Sequence, residues 1–202
     1  YADIWEADEA VPATSEAALL DSYRMLDQAL ADDLGVVISV GNGHWMDRKP
    51  ELLRINAEGT PYERVNPCCN LPGVIDFSRN VGRSIVESYG DFPAFDAALI
   101  NSEVRDSSQV CFHEEDRNAY RAATGKEYPD SVVIKNGVSY TTLPDFPANR
   151  VVPDDHELLQ FYRWFWREGD GWNGVHSAVN EGLKSTGRDD LWTFFDPAVR
   201  VP

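Results

Sequence analysis

The run Ala97-Ala98-Leu99-Ile100 breaks off into Asn101-Ser102-Glu103, and Arg105 and Asp106 follow at once. Four apolar residues with no amphipathic period read as a strand buried on both faces, the kind found inside a parallel sheet. Where such a strand ends in amide, hydroxyl, carboxylate and guanidinium groups, the sheet usually opens onto a site. The next stretch adds His113, Glu114, Glu115 and Asp116. The competing reading is a plain strand end with solvated charges. Glu103 is therefore the residue on which a chemical role is tested first.

The elements around it alternate. Ala2 to Trp5 is a weak first strand. Ser15 can cap a helix starting at Glu16 that carries Leu19, Leu20, Tyr23, Met25, Leu26 and Leu30. Val36 to Val40, preceded by Gly35, predicts a buried strand. Residues 41–76, rich in Gly and Pro, predict a long loop of the kind that carries function. Val81, Ile85, Val86 and Tyr89 form a core stripe on a helix over residues 78–89, closed by Gly90. A short helix over 115–123 follows, then a small hairpin within Val132 to Tyr140 that turns at Asn136-Gly137. Asp154 caps a further helix, with Glu157 as its capping-box partner and Leu158, Phe161, Tyr162 and Phe165 as its core face. Beyond Gly169-Asp170-Gly171 come a helical run over 172–185 and a last strand, Leu191 to Phe195, ending at Asp196-Pro197.

Alternating strands and helices predict a parallel sheet with right-handed crossovers, either an open doubly wound sheet or part of a barrel. Irregular stretches follow the carboxyl ends of the strands, which favours the barrel. The expected fold is α/β and TIM-barrel-like, one domain over residues 1–202 holding only part of a (β/α)8 barrel. No glycine-rich phosphate loop follows any strand, so nucleotide binding is not expected.

Composition narrows the partners. With 43% hydrophobic residues, the chain can bury a core. Its net charge of −16 argues against nucleic acid and against anionic membrane surfaces, and is compatible with a neutral sugar. No apolar run is long enough to span a bilayer. The chain starts at Tyr1 and reads as a processed product or an internal fragment. Of the three cysteines, the adjacent Cys68 and Cys69 suit no ordinary disulfide, and without a CxxC pair a structural zinc site is not expected.

The stretch from Gly35 to Trp45, then Lys49-Pro50-Glu51, then Ile100-Asn101-Ser102-Glu103, resembles the clan A glycoside hydrolases, closest to their β-galactosidase-like (β/α)8 members. In that family the fourth strand ends in an Asn-Glu pair whose Glu is the general acid/base. Here Ser102 stands between Asn101 and Glu103, and alternation along a strand puts those two on one face. The resemblance implies hydrolysis of O-glycosidic bonds, in a galactoside or related glycan, by a retaining mechanism with Glu103 as acid/base. It also implies a nucleophilic carboxylate on the seventh strand, expected beyond Pro202 or absent, and the remainder of the barrel on a longer chain. A homo-oligomer and a secreted or periplasmic bacterial address are further expectations.

The substrate-binding candidates are Asn101, Asn42, His44, Trp45, Asp106, His113 and Asp196. His44 can hydrogen-bond a sugar hydroxyl, and Trp45 can floor a subsite. No metal and no cofactor are expected. Two alternatives stand beside this reading. One is a non-catalytic carbohydrate-binding or degenerate barrel protein. The other is a metal-dependent barrel hydrolase drawing on His44, His113, Glu103 and Asp106, although no HxH or HExxH spacing supports it. Cys111 and His113 are two apart on a loop, a spacing that arises often by accident.

Overall fold

The computed structural model describes residues 16–40, 49–63, 66–105, 109–135, 151–168 and 172–198, excepting the side chains of 102–105, 135, 167, 168, 172, 173 and 196–198. The element order is α1 (Glu16–Ala31), β1 (Val36–Ser39), a 3-10 turn (Pro50–Leu52), α2 (Val74–Tyr89), β2 (Phe95–Arg105), α3 (Glu114–Thr124), α4 (Asp130–Lys135), α5 (Glu157–Arg163) running on as a π-helical turn (Trp164–Glu168), α6 (Trp172–Leu183) and β3 (Trp192–Ala198). The chain divides into two compact units, residues 1–45, 75–103 and 175–197, and residues 46–74, 104–174 and 198–202.

The first unit carries the sheet, ordered β1-β2-β3. β1 pairs in parallel with β2, Val37 opposite Ala97 and Ser39 opposite Leu99, with a bulge after Val36. Phe95, Ala97, Ala98 and Ile100 are buried, as the apolar run requires of a central strand. β1 corrects the sequence reading: it is an edge strand, and Val37 is 52% exposed. The barrel is overturned. Three strands form an open α/β arrangement and do not close a cylinder. Among the described residues, the chain between β2 and β3 makes helices and irregular structure and returns no strand between them. The weak strand at Ala2 to Trp5 lies outside the described residues.

α2 starts at Val74, four residues earlier than the stripe suggested, and buries Val81, Ile85, Val86 and Tyr89. It meets α6 at two glycines. A Cβ on Gly82 would stand 2.1 Å from the Val179 carbonyl oxygen, and one on Gly182 would stand 2.0 Å from that of Arg79. Arg79 Nε also donates to Glu181 at 3.1 Å. Thr193 Oγ1 donates to Asn180 Oδ1 at 2.6 Å and ties β3 to α6. The Arg188 guanidinium donates to the Phe95 carbonyl at 3.0 Å and to that of Gly90, fixing the turn before β3 against the entry to β2.

The second unit has its own core. Val110, Phe112, Tyr120, Tyr128, Val132, Leu158, Phe161, Trp164 and Phe165 are buried together. Its rings meet mostly edge to face, Tyr120 with Trp164 at 5.0 Å and Tyr128 with Phe161 at 5.0 Å, the arrangement ring quadrupoles favour. The hairpin expected over Val132 to Tyr140 is corrected: Asp130–Lys135 is helical, and residues 136–140 lie outside the described residues. Pro129 opens this helix, since its missing N–H costs nothing at a helix start, and its carbonyl accepts from Val132 and Val133. The cap of α5 is also corrected. His156 is the N-cap, its Nδ1 accepting from Leu158 N–H, whereas Asp154 accepts from Arg163 at 2.7 Å.

Candidate functional site

Residues 52–56 run as a spine through the second unit. The Cys68 N–H donates to Leu52 O at 2.9 Å, and Arg54 N–H donates to Asn66 O at 2.9 Å. The Phe112 N–H donates to Ile55 O at 3.1 Å. Two distant stretches, 66–68 and 110–112, are thereby brought to the same short segment. Arg54 reinforces this: it is 2% exposed, and its guanidinium donates to Pro67 O at 2.9 Å and to Gln109 O at 2.5 Å. Asn66 Nδ2 donates to Gln109 Oε1 at 3.0 Å across the same gap. Tyr62 and Tyr128 close the margin, their hydroxyls donating to the carbonyls of Val110 and Cys111.

Just beyond the two clasped carbonyls, side chains from both stretches meet. Cys68, Cys111, His113 and Asp116 place one thiol, one thiol, one ring nitrogen and one carboxylate oxygen within 4.8 Å of one another. The Cys68 thiol donates to Asp116 Oδ2 at 3.0 Å, and Cys111 Sγ lies 2.9 Å from His113 Nδ1. His113 Nδ1 is 3.9 Å from Asp116 Oδ2. Asn70 Nδ2 donates to the other carboxylate oxygen, Asp116 Oδ1, at 2.8 Å. Both cysteines and Asp116 are fully buried, and the His113 side chain is 18% exposed. The Cys68 thiol is pushed far up, first by its hydrogen bond with Cys111, then by burial, then by the Asp116 charge. Burial and the neighbouring Cys111 likewise push the Tyr62 phenol up.

The end of β2 in the first unit holds a different group. Asn101 Nδ2 lies 3.1 Å from His176 Nε2. An amide NH2 can only donate, so this bond leaves Nε2 as the acceptor and the neutral ring proton on Nδ1. His176 is buried on α6, and its ring stacks on Phe195 at 5.7 Å. Glu103 lies on β2 two residues before the strand ends at Arg105. At the amino end of the same strand, Asp96, Ala97, Asp190, Trp192 and Phe194 line a depression of about 320 Å³. Trp192 is 77% exposed there.

The expected site residues thus fall in several places. Asn101 and Glu103 share β2, though the Glu103 side chain lies outside the described residues. Asp196 is on β3 with the same restriction. Asn42, His44, Trp45 and Asp106 lie outside the described residues. His113 belongs to the second unit and meets Cys111 and Asp116. Sequence reasoning missed His176, Cys68, Asn70 and Arg54. A lone His on a helix and a buried Arg give no local signal. The Cys111-x-His113-x-x-Asp116 spacing was the one legible trace. Compared with known proteins, the chain matches no family model and no curated relative.

Proposed function

We propose that the protein hydrolyses glycosidic bonds, with Glu103 as the proton donor to the leaving oxygen. The observation that carries this reading is the position of Glu103 at the carboxyl end of the central strand of the sheet, two residues past an Asn–His pair. In open α/β sheets, ligands bind outside the carboxyl ends of the strands, so the role does not depend on a closed barrel. Asn101, held by His176, is a preset amide for a sugar hydroxyl. The acidic surface, with a net charge of −16, suits a neutral substrate. A general acid contributes about 10²–10⁴-fold to such a reaction.

The test varies the leaving group in Glu103→Gln. Hydrolysis of an alkyl glycoside, whose leaving oxygen needs a proton, should fall about 10²–10⁴-fold. The kcat/KM for a dinitrophenyl glycoside, which reports only the bond-cleaving step and whose leaving group departs as the anion, should change little. Equal losses on both substrates, or unchanged turnover on both, refute the assignment.

A second reading, carbohydrate binding without turnover, draws on the depression beside β2 and β3. The exposed Trp192 ring offers a stacking face, with the Asp96 and Asp190 carboxylates beside it for hydroxyl groups. Sugar binding that survives Glu103→Gln and disappears in Trp192→Ala, in a protein with no glycosidase activity, would select this reading.

A further inference from the structure

The buried group in the second unit has no role in that reading. We infer that Cys68, Cys111, His113 and Asp116 form a structural zinc(II) site, bound through the two sulfurs, His113 Nδ1 and an Asp116 carboxylate oxygen.

The donor set is the first argument. Two thiols, an imidazole and a carboxylate are the soft and borderline ligands that favour zinc over the hard cations calcium and magnesium. The second is distance. With Zn–S about 2.3 Å and Zn–N or Zn–O about 2.0–2.1 Å, tetrahedral ligand atoms stand about 3.3–3.8 Å apart. Here the neighbouring pairs lie at 2.9, 3.0 and 3.9 Å, and none of the four atoms is more than 4.8 Å from another. A small concerted outward movement of the two sulfurs would seat the ion. The third is support. Asn70 holds the far oxygen of Asp116, the outer partner that a ligating carboxylate ordinarily has, and Arg54 sets the two chain segments that carry the cysteines.

Electrostatics point the same way. Two thiols and a carboxylate are shut away together, with the Cys68 thiol donating to Asp116 and Cys111 Sγ against His113. A divalent ion would take the place of the thiol protons and give both sulfurs and the carboxylate one shared cationic partner. Four protein ligands complete a tetrahedral shell, which makes the ion a brace for the fold and leaves it no open position for activating water. Cys69 is buried next door but stands outside the four-residue group, and so serves as an internal control.

The proposal is independent of the role of Glu103. It is tested on the full chain by elemental analysis after purification without added metal, and by cobalt(II) titration of the chelator-treated protein. The expected result is one zinc per chain. Removal by chelator should lower the melting temperature, and zinc but not magnesium should restore it. One equivalent of cobalt should give intense sulfur-to-metal absorption. Cys69→Ser should leave that spectrum unchanged, and Cys111→Ser should cut its intensity about in half. Asn70→Ala keeps all four ligands and should weaken zinc about 10–100-fold. If Cys111→Ser does not fold, the wild-type stoichiometry and chelator response still decide. A chain that takes up neither zinc nor cobalt stoichiometrically, or that carries a Cys68–Cys111 disulfide when purified, overturns the proposal.

Discussion

Gly82→Ala places one methyl group where α2 crosses α6. Replacing Gly by Ala inside an exposed helix would stabilise it by about 1 kcal/mol. The crossing forbids that gain. The new carbon would lie 2.1 Å from Val179 O and 2.8 Å from Leu183 N, both main-chain atoms that cannot rotate away. Ordinary contact is about 3.5 Å, so the helices must part by about 1.4 Å. A gap of that size forfeits at least about half of the attraction across the crossing. Overpacking of this kind costs about 1–3 kcal/mol, and a backbone obstacle puts it at the upper end. Net of helix propensity, Gly82→Ala should destabilise by about 2 kcal/mol. Gly182→Ala should do the same, its carbon meeting Arg79 O at 2.0 Å. Because the first alanine has already separated the helices, the double variant should lose clearly less than the sum. Urea denaturation followed by circular dichroism, with hydrogen exchange to localise the loss to α2 and α6, measures all three. An unchanged or raised midpoint in Gly82→Ala would refute the close crossing.

Two further outcomes concern the second unit. Arg54→Met keeps the apolar stem but strips the Pro67 and Gln109 carbonyls of a charged donor. Bonds of that type contribute about 1.5–3 kcal/mol each, so a loss of about 3 kcal/mol or more is expected, together with weaker zinc uptake by an intact ligand set. A midpoint equal to wild type would show that the clasp is idle. The pH dependence of the chelator-treated protein follows from the raised Cys68 thiol. In the fold this thiol keeps its proton after the unfolded chain has lost it. The stability it contributes is therefore whole below about pH 8.5 and declines above it, by about 1.4 kcal/mol per unit for one proton. Zinc binding releases such protons and strengthens as pH rises, so the gap in melting temperature between loaded and stripped protein should widen from pH 7 to 9. A gap that narrows contradicts thiolate ligation.

Local signals carried much of the fold. α1, α2, α3 and β2 lie about where periodicity and the apolar run put them, because each is decided by residues within one or two turns of itself; the Ser15 cap of α1 lies outside the described residues. The miss over Val132 to Tyr140 has the opposite cause. Three β-branched residues before Asn-Gly favour a hairpin, yet Val132 is fully buried against Tyr128 and Leu158, and Pro129 starts a helix there. Tertiary packing outweighed propensity. The barrel failed for a related reason: alternation of elements predicts parallel pairing but does not count strands, and among the described residues α3, α4 and α5 contribute to a separate aromatic core in the second unit. The place of Asn101 and Glu103 on β2 was legible because a strand displays its end in sequence. The Cys68 cluster was not. Its members are assembled by Arg54 through main-chain carbonyls, and nothing in the spacing from Cys68 to Cys111 announces that.

That grip on carbonyl oxygen has an evolutionary corollary. Every amino acid supplies the same acceptor, so positions 67 and 109 can drift while the guanidinium still finds its partners. No lysine could substitute for the fork that spans them. In diverging descendants of this chain, one arginine codon should stay frozen between neighbours that are free to wander.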